Sequence, residues 1–238
     1  MYLSRRADAV SDQLFEEWQI YEKLLIHDYM DHRAFFNRLQ AEILARFKRP
    51  VAVLDLGCGD LTPILAMLEK VPVLRYVGID ESDVALGLAA RRLERLGVPG
   101  RLVKGDLLEA MEHIGESFDI VLASFSLHHL ADPVYKQRAL AAGGQLLNPD
   151  GLFAVVDVFC AESEPRNGYL ERWIAHAQER YEELHAAEMK ILCDHVRNRD
   201  FPVSLSAFKA LGKQAGLGQF EVLMKDYANL NCLVTFTA

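Results

Sequence analysis

The segment that most constrains the fold of this chain is residues 51–65, VAVLDLGCGDLTPIL. Its apolar and largely β-branched beginning predicts a buried strand that ends at Asp55. Gly57 and Gly59 follow and predict a tight turn, because glycine adopts backbone conformations that other residues resist and lets a ligand approach the main chain closely. Thr62, followed by a proline, predicts the start of a helix whose unpaired N–H groups face the same ligand. The segment therefore indicates a nucleotide site built on a strand, a turn and a helix.

Short apolar runs alternate with amphipathic helical runs over residues 51–159. One helical run has both of its ends marked, by Ser82 as an N-cap and by Gly97 just beyond its last turn. Strands and helices that alternate in this way predict parallel strands joined by crossovers, hence a doubly wound α/β sheet. The last stretch, 204–238, predicts one helix and then two strands around residues 226–229. We therefore expect a Rossmann-like, mostly parallel seven-stranded sheet with an antiparallel C-terminal edge hairpin.

Helical periodicity continues on both sides of this core. Apolar residues recur at spacings of three and four from about Ser11 to Phe47, with Asp31 as a candidate cap of the second segment. Another long helical segment, Arg166 to Asn198, follows the fifth strand, and we expect both helical regions to cover the ligand. The expected organisation is a single domain, 1–238, with an N-terminal helical cap (1–49), a cofactor-binding core (50–159), a helical lid (160–203), and a final helix with the edge hairpin (204–238).

Charge and cysteine usage argue against several classes of function. The formal net charge is −8 and no run of five Lys or Arg occurs, which argues against a nucleic-acid partner. No apolar stretch has signal-peptide or membrane-spanning length, so we expect a soluble, cytoplasmic protein with no membrane partner. The four cysteines lie far apart in the sequence: Cys58, Cys160, Cys193 and Cys232. Their spacing predicts reduced thiols, and His27 and His32 have no further ligands near them, so we expect no metal.

Polar residues follow the other predicted strands, where ligands bind in open α/β sheets. Asp80, about twenty residues beyond the glycine turn, is placed to accept hydrogen bonds from ribose hydroxyls. Its alternative role is to cap the next helix, although Ser82 already supplies a cap. Asp106 offers a carboxylate to an exocyclic amine such as that of adenine, and Leu107 offers a backbone N–H. The alternative for Gly105-Asp106 is an ordinary turn.

Four ordered motifs together resemble those of the class I S-adenosylmethionine-dependent methyltransferases. They are VLDLGCGD, YVGIDES, VKGDLLE and FDIVLASFSLHHL, followed by LLNPDGLFAVVDVF, and the resemblance covers Val51 to Phe159. It implies an enzyme that moves a methyl group from S-adenosylmethionine to a small-molecule acceptor and releases S-adenosylhomocysteine. The SFSLHHL segment is most similar to the small-molecule and quinone-type branch.

The resemblance also implies where the cofactor binds. By this similarity, the methionine portion of the cofactor would be surrounded by Asp55, Gly57, Gly59 and the backbone of Cys58, and Ser124 would contact its methionine end. Asp80 and Glu81 would lie at the ribose. Asp106 and Leu107 would recognise the adenine. The sequence departs from the family at Leu61, where a glycine is usual, so we expect a less permissive loop. Thr62 stands where a nicotinamide-dinucleotide fingerprint requires glycine, which argues against hydride transfer.

Two histidines are the candidates for catalysis. His128 and His129 follow the fourth strand, near the expected position of the methyl group, and either could take a proton from a hydroxyl or an amine. The alternative is that they line the pocket or bond to the backbone. Asp157, near the end of the fifth strand, is either a further carboxylate at the site or a structural residue. A general base is needed only when the nucleophile arrives protonated.

The flanking helices offer further candidates. Arg33 could pair with the cofactor carboxylate, or belong to a solvated surface cluster. The predicted lid carries four polar and aromatic residues spaced along one helical face: Tyr169, Trp173, His176 and Arg180. Such a stripe is more often a core face than a ligand wall, although a lid must present some residues to its substrate.

Two alternatives to methyl transfer stay open at this point. The same cofactor site could serve the transfer of another group from a modified S-adenosylmethionine. A non-catalytic binding or scaffold protein could retain the fold, although Asp55, Asp80 and Asp106 are all present. The acceptor atom, O, N, C or S, and the oligomeric state do not follow from the sequence.

Overall fold

The computed structural model describes residues 19–238. Within them, eight strands are found: β1 (Val51–Leu56), β2 (Val73–Asp80), β3 (Gly100–Lys104), β4 (Phe118–Ser124), β5 (Leu147–Cys160), β6 (Val203–Ser204), β7 (Phe220–Lys225) and β8 (Asn231–Thr237). Seven of them follow the order β3-β2-β1-β4-β5-β8-β7, and the short β6 pairs with the end of β5 off this path. The pairs among β1 to β5 are parallel, whereas β8 is antiparallel to both β5 and β7. The expected doubly wound sheet with its antiparallel edge hairpin is confirmed.

Helices connect the strands and extend the core at both ends. They are α1 (helical at 19–26), α2 (His32–Arg46), α3 (Leu65–Leu68, preceded by the 3-10 turn Thr62–Ile64), α4 (Asp83–Leu96), α5 (Leu107–Glu112), α6 (Pro133–Gln145), α7 (Arg166–Arg180), α8 (Ala186–Arg199) and α9 (Leu205–Gln214). The predicted ends of α4 are confirmed, because the Ser82 side chain accepts a hydrogen bond from the Ala85 N–H and Gly97 has a φ of 65°. No helix among the described residues is long and apolar enough to span a membrane.

The two helical regions differ in detail from the sequence expectation. The N-terminal region breaks into a turn between α1 and α2, and Leu14 and Trp18 of its predicted stripe lie outside the described residues. Asp31 occupies the N-cap position of α2, but its side chain makes no capping hydrogen bond. The segment expected as one long helix from Arg166 to Asn198 is two helices, α7 and α8. The backbone N–H of His185 donates to Glu188 Oε2 at 2.8 Å, which starts a new helix at that point.

Three apolar clusters hold these layers together. One lies on each face of the sheet, and every residue of β1 is buried. The third joins α1, α7 and α8 to the end of β5, around Trp173 and Val158. Fully burying one large apolar side chain contributes about 1.5–3 kcal/mol, so this third cluster fixes the helices firmly over the sheet. The helical cover therefore lies at the carboxyl ends of β4 and β5, where the sequence places the candidate site.

Candidate functional site

The glycine turn after β1 has the geometry that the sequence predicts. Gly57 and Gly59 have φ values of 76° and 53°, in the region that favours glycine. A Cβ on Gly57 would lie 2.7 Å from the Cβ of Ser126, whereas nothing lies within 4 Å of one on Gly59. The N–H groups of Gly57 and Cys58 both donate to the carbonyl of Ile79, at 2.9 Å. The turn is therefore anchored to β2 and leaves open space beside Gly59 for a ligand.

Asp80 joins this turn to the start of α4. Its Oδ2 accepts a hydrogen bond from the Gly59 N–H at 2.8 Å, and its Oδ1 accepts one from the Ser82 N–H at 2.9 Å. Each carboxylate oxygen can accept a second hydrogen bond, so the side chain can hold the turn and two ribose hydroxyls at once. Glu81 is exposed beside it. The arrangement fits the predicted ribose contacts, which stay predictions for both residues.

Asp106 caps α5. Its Oδ1 accepts hydrogen bonds from the N–H groups of Leu108 and Glu109, at 2.8 and 3.1 Å. Among the described residues, no group donates a hydrogen bond to Oδ2 of Asp106, so this oxygen can accept one from an amine. Leu107 is the first residue of α5, where backbone N–H groups have no partner inside the helix. The adenine contacts of both residues stay predictions that this geometry permits.

Asp55 is a buried carboxylate with one unpaired oxygen. Its Oδ2 accepts a hydrogen bond from the Tyr76 hydroxyl at 2.6 Å, whereas its Oδ1 is buried and has no partner. Burial raises the pKa of Asp55 to about 7, against the opposing effect of the Tyr76 hydrogen bond. A positively charged or N–H-bearing ligand would satisfy this oxygen. The orphaned oxygen at the glycine turn thus fits the ammonium-bearing end of S-adenosylmethionine.

Cys58 contributes to this turn through its main chain. Its side chain is buried, and burial with the negative charges of Asp55 and Asp80 raises the pKa of the thiol far above its ordinary value. The thiol therefore stays protonated and unreactive. The contact of the Cys58 backbone with the cofactor stays a prediction.

Leu61 adopts the conformation for which glycine is usual. Its φ is 69° and its side chain is fully buried. The residues before and after Leu61 are held together by the buried carboxylate of Asp60. This carboxylate accepts hydrogen bonds from the N–H and the hydroxyl of Thr62 and forms an ion pair with Arg92. The loop is therefore held in the left-handed conformation despite the leucine. Asp60 was not singled out from the sequence, where it stands as an ordinary turn residue.

The loop after β4 carries the predicted residues Ser124, His128 and His129. Ser124 is the last, half-buried residue of β4, and its predicted contact with the methionine end stays a prediction. The neighbouring Ser126 donates its hydroxyl to the Leu56 carbonyl at 2.7 Å, which binds this loop to the end of β1. Phe125 between them has a φ of 48°. The chain therefore turns sharply here and places the two histidines over the end of the sheet.

His128 is buried between two carboxylates. Its Nδ1 lies 2.5 Å from Oδ1 of Asp157, and its backbone N–H donates to Oδ2 of the same residue at 3.1 Å. Its Nε2 lies 3.5 Å from Oδ1 of Asp200. Burial opposes protonation of the ring, but the two carboxylates outweigh it and raise the pKa of His128. Asp157 does not line the cavity and reaches it only through His128, so its predicted place at the site stays a prediction.

His129 is less enclosed than His128. Its side chain is 42% exposed, and its Nδ1 lies 3.1 Å from the carbonyl oxygen of Arg199. Partial burial, together with the positive charge of a protonated His128, lowers the pKa of His129. The two histidines therefore differ in character, one being locked between carboxylates and the other standing at the edge of a cavity.

Lys136 and Asp200, which complete this network, were not predicted from the sequence. The Lys136 ammonium is buried and donates to the carbonyls of Leu127 and Leu130, each at 2.6 Å. Its burial lowers the pKa of Lys136 to about 8. Lys136 lies one helical turn before the buried Leu140, so helical spacing could have placed it on the inner face. Asp200 follows α8, far from the histidines in sequence, and no local pattern marks it.

The two histidines border a cavity of about 150 Å³ beneath the helical cover. Its polar wall consists of His128, His129, His195 and Asp200. Its remaining wall is mostly apolar and comes from α1, the β4 loop, β5, α7 and α8: Ile20, Tyr21, Leu24, Met30, Phe125, Val158, Trp173, Ile191, Leu192 and Val196. The helices thus enclose a small apolar space with one polar end.

The four predicted lid residues do not share one role. Trp173 lines the cavity, whereas Tyr169 is buried and its hydroxyl lies 3.4 Å from the Leu230 carbonyl. His176 is half-buried, and Arg180 is exposed. Arg33 lies at the start of α2 with its side chain 70% exposed, donating to the Ile26 carbonyl at 2.9 Å. This matches the surface alternative, and its pairing with the cofactor stays a prediction.

Comparison with known proteins agrees with this geometry. Residues 53–151 match the family model described as a methyltransferase domain. The demethylmenaquinone methyltransferase of Thermus thermophilus is 34% identical over 133 residues, which cover 50% of this chain and 58% of that protein. The ubiquinone biosynthesis O-methyltransferase of Rhizobium etli is 30% identical over 147 residues, covering 56% of this chain and 53% of that protein. The chain thus spans little more than half the length of these relatives.

A solved structure extends the similarity to the whole fold. The plantazolicin methyltransferase BamL, in complex with a triazolic desmethylPZN analog and SAH, superposes with a TM-score of 0.56 at 17% identity and covers 97% of this chain and 98% of that one. The sheet order and the family model matched by residues 53–151 agree with the resemblance of Val51 to Phe159 to the class I S-adenosylmethionine-dependent methyltransferases, and the orphaned Asp55 oxygen fits the cofactor that this resemblance implies.

Proposed function

We propose that the chain transfers a methyl group from S-adenosylmethionine to a small-molecule acceptor bound in the cavity beside His128. The observation that carries the proposal is the position of Phe125. Phe125 lines the cavity, and the neighbouring Ser126 donates its hydroxyl to the carbonyl of Leu56, directly before the glycine turn, at 2.7 Å. The cavity therefore adjoins the glycine turn, so an acceptor in it would face the cofactor.

The chemistry divides between the cofactor and the chain. S-adenosylmethionine, when bound, supplies a methyl group on a positively charged sulfur that is its own leaving group. The chain aligns the acceptor and excludes water, for which the apolar wall with Ile20, Leu24 and Trp173 is suited. We place the reacting atom of the acceptor at the polar wall and propose His128 and His129 as the residues that activate it.

The cavity and the charge of the chain favour a small acceptor. The space of about 150 Å³ suits a compact, largely apolar compound with one polar group. A net charge of −8 disfavours a polyanion such as a nucleic acid. The names of the quinone-pathway relatives support the same class of acceptor. The four cysteines are free thiols in the structure, which supports work in a reducing compartment such as the cytoplasm.

The proposal is tested by turnover and by a change in the cavity. Purified chain is incubated with S-adenosylmethionine and a panel of phenols, hydroquinones, amines and carboxylic acids, and mass spectrometry follows S-adenosylhomocysteine and the acceptor gaining one methyl group. We expect stoichiometric formation of both products. Failure to bind S-adenosylmethionine at millimolar concentration, or the transfer of a different group, would overturn the proposal.

A matched pair of variants on α8 tests the place of the acceptor. Ile191→Trp fills part of the cavity and should lower kcat/KM for the acceptor at least tenfold, with the Kd of S-adenosylhomocysteine unchanged. Ala187→Trp adds the same side chain at an exposed position of the same helix and should leave both values unchanged. Equal effects of the two substitutions on kcat/KM would contradict the proposed binding of the acceptor in this cavity.

A further inference from the structure

We propose that His128, His129 and Asp200 form a binding site for a divalent transition-metal ion at the polar wall of the cavity. One donor atom from each residue lies within 4.8 Å of the other two. Nε2 of His128 is 3.5 Å from Oδ1 of Asp200, and Nδ1 of His129 is 3.8 Å from the same oxygen. Binding of the ion is independent of the proposed function, whereas its role in activating the acceptor rests on that function.

Asp200 gives independent support for a cation at this position. The residue is 5% exposed and lines the cavity, and its Oδ1 is buried without a hydrogen-bond partner. The backbone holds it in place, because its N–H donates to the Val196 carbonyl at 3.2 Å and its carbonyl accepts from Arg166 Nε at 2.6 Å. An unpaired carboxylate oxygen is costly to bury. A metal ion supplies the missing partner.

The two histidines are oriented as metal ligands usually are. Nδ1 of His128 faces the Asp157 carboxylate at 2.5 Å, and Nδ1 of His129 faces the Arg199 carbonyl at 3.1 Å. When these nitrogens donate their hydrogens, each Nε2 carries the lone pair that a metal requires. Histidines that bind metals almost always donate their other ring N–H to a carboxylate or a carbonyl. Both histidines meet this condition.

The donor set and its spacing point to a zinc-type ion. Nitrogen and oxygen ligands about 2.1 Å from a tetrahedral ion lie about 3.4 Å from one another. The separation between Nε2 of His128 and Oδ1 of Asp200 already has this value, and the partly exposed His129 offers a ligand atom within 4.8 Å of the other two residues. Two imidazoles and one carboxylate suit Zn²⁺ or Fe²⁺, whereas Mg²⁺ and Ca²⁺ prefer oxygen ligands alone. Three protein ligands leave a position open toward the cavity.

The open position defines the class of acceptor. A hydroxyl oxygen bound there would release its proton to water near neutral pH, as metal-bound water does. The resulting oxygen anion forms a bond to the methyl carbon while the carbon–sulfur bond breaks, and the electron pair of that bond stays on sulfur. The acceptor is therefore a compound with a hydroxyl group, such as a phenol, and the product is its methyl ether.

The test measures metal binding without cofactor or acceptor. Tag-free chain is treated with a chelator, dialysed, and titrated with Zn²⁺ by calorimetry and with Co²⁺ by visible absorption. We expect one bound ion and the absorption bands of a low-symmetry Co²⁺ site. Asp200→Asn and His129→Gln should each weaken binding at least tenfold, and Asp157→Asn, which orients His128, should weaken it about 10–100-fold. His113→Gln changes an exposed histidine far from the cluster in sequence and should leave binding unchanged.

The outcomes separate this proposal from the proposed function. Circular dichroism of each variant checks that it is folded, and His129→Gln provides a second readout at a partly exposed position if Asp200→Asn unfolds. No ion bound by the wild-type chain, or equal binding by the wild type and both folded variants, overturns the metal site even when methyl transfer is observed. Methyl transfer that is absent although the ion binds would overturn the proposed function and leave the site standing.

Discussion

The carboxylate of Asp157 holds His128 at two points, the ring nitrogen Nδ1 at 2.5 Å and the backbone N–H at 3.1 Å. One carboxylate thus fixes both the loop after β4 and the direction in which the imidazole points. The free edge of the ring is turned toward Asp200 and the cavity. β5 therefore takes part in the site through a residue that does not line the cavity itself.

Asp157→Asn should impair turnover without impairing cofactor binding. The amide can no longer accept from both groups of His128 with a charge-assisted bond, so the ring loses its fixed orientation. We expect kcat to fall about 10–100-fold, the range seen when the partner of a metal-ligating histidine is removed. The Kd of S-adenosylhomocysteine should stay within twofold of the wild-type value, because the glycine turn is untouched. A matched loss of cofactor affinity would show that the substitution acts through the whole fold instead.

Asp80→Ala should weaken cofactor binding strongly. It removes the acceptor of the Gly59 and Ser82 N–H groups and the predicted partner of the ribose. Hydrogen bonds to a charged group are each worth about 1.5–3 kcal/mol, so calorimetry with S-adenosylhomocysteine should show at least a tenfold rise in Kd. Asp83→Ala provides the control, because Asp83 is exposed, pairs with Lys104 and lies in the first turn of the same helix. An unchanged Kd for Asp80→Ala would contradict the predicted ribose contact.

Asp55 should make the stability of the free chain depend on pH between about 4 and 7. Its pKa is about 7 in the folded chain against 3.8 without burial, so the folded state binds more protons over this range. The contribution of Asp55 to the unfolding free energy is therefore complete below pH 4, and it is lost as the pH rises toward 7. Asp55→Asn removes the titration. The unfolding free energy of the variant, relative to that of the wild type, should therefore rise by roughly 3–4 kcal/mol between about pH 4 and pH 7.

Tyr76→Phe tests the cause of that shift. The Tyr76 hydroxyl donates to Asp55 Oδ2 at 2.6 Å and lowers the pKa of the carboxyl against the effect of burial. Removing the hydroxyl should therefore move the window to higher pH, which urea unfolding at a series of pH values would reveal. A window that stays in place, or moves to lower pH, would mean that another group titrates.

Local patterns were sufficient to predict the elements that surround the expected cofactor site. The strand ends, the cap at Ser82 and the turn at Gly57 and Gly59 each depend on residues close in the chain, and the structure has them as expected. The polar wall depends on contacts between distant segments. Asp200 reaches His128 only because α8 folds back over β5, and no spacing rule encodes that contact. The break between α7 and α8 likewise depends on the capping of His185 by Glu188, within a stretch whose helical periodicity is continuous.

Leu61→Gly sets two opposing effects against each other. Leu61 has a φ of 69°, a left-handed conformation that costs a side-chain-bearing residue about 1–2 kcal/mol and costs glycine nothing. The same side chain is fully buried in the cluster that includes Ile64 and Met67, and removing a buried leucine side chain costs about 2–5 kcal/mol. The loss of packing outweighs the relief of strain. We therefore expect the unfolding free energy in urea to fall by about 1–3 kcal/mol, with Leu61→Ala falling further because alanine keeps the strain. A glycine variant more stable than the wild type would show that strain dominates at this turn.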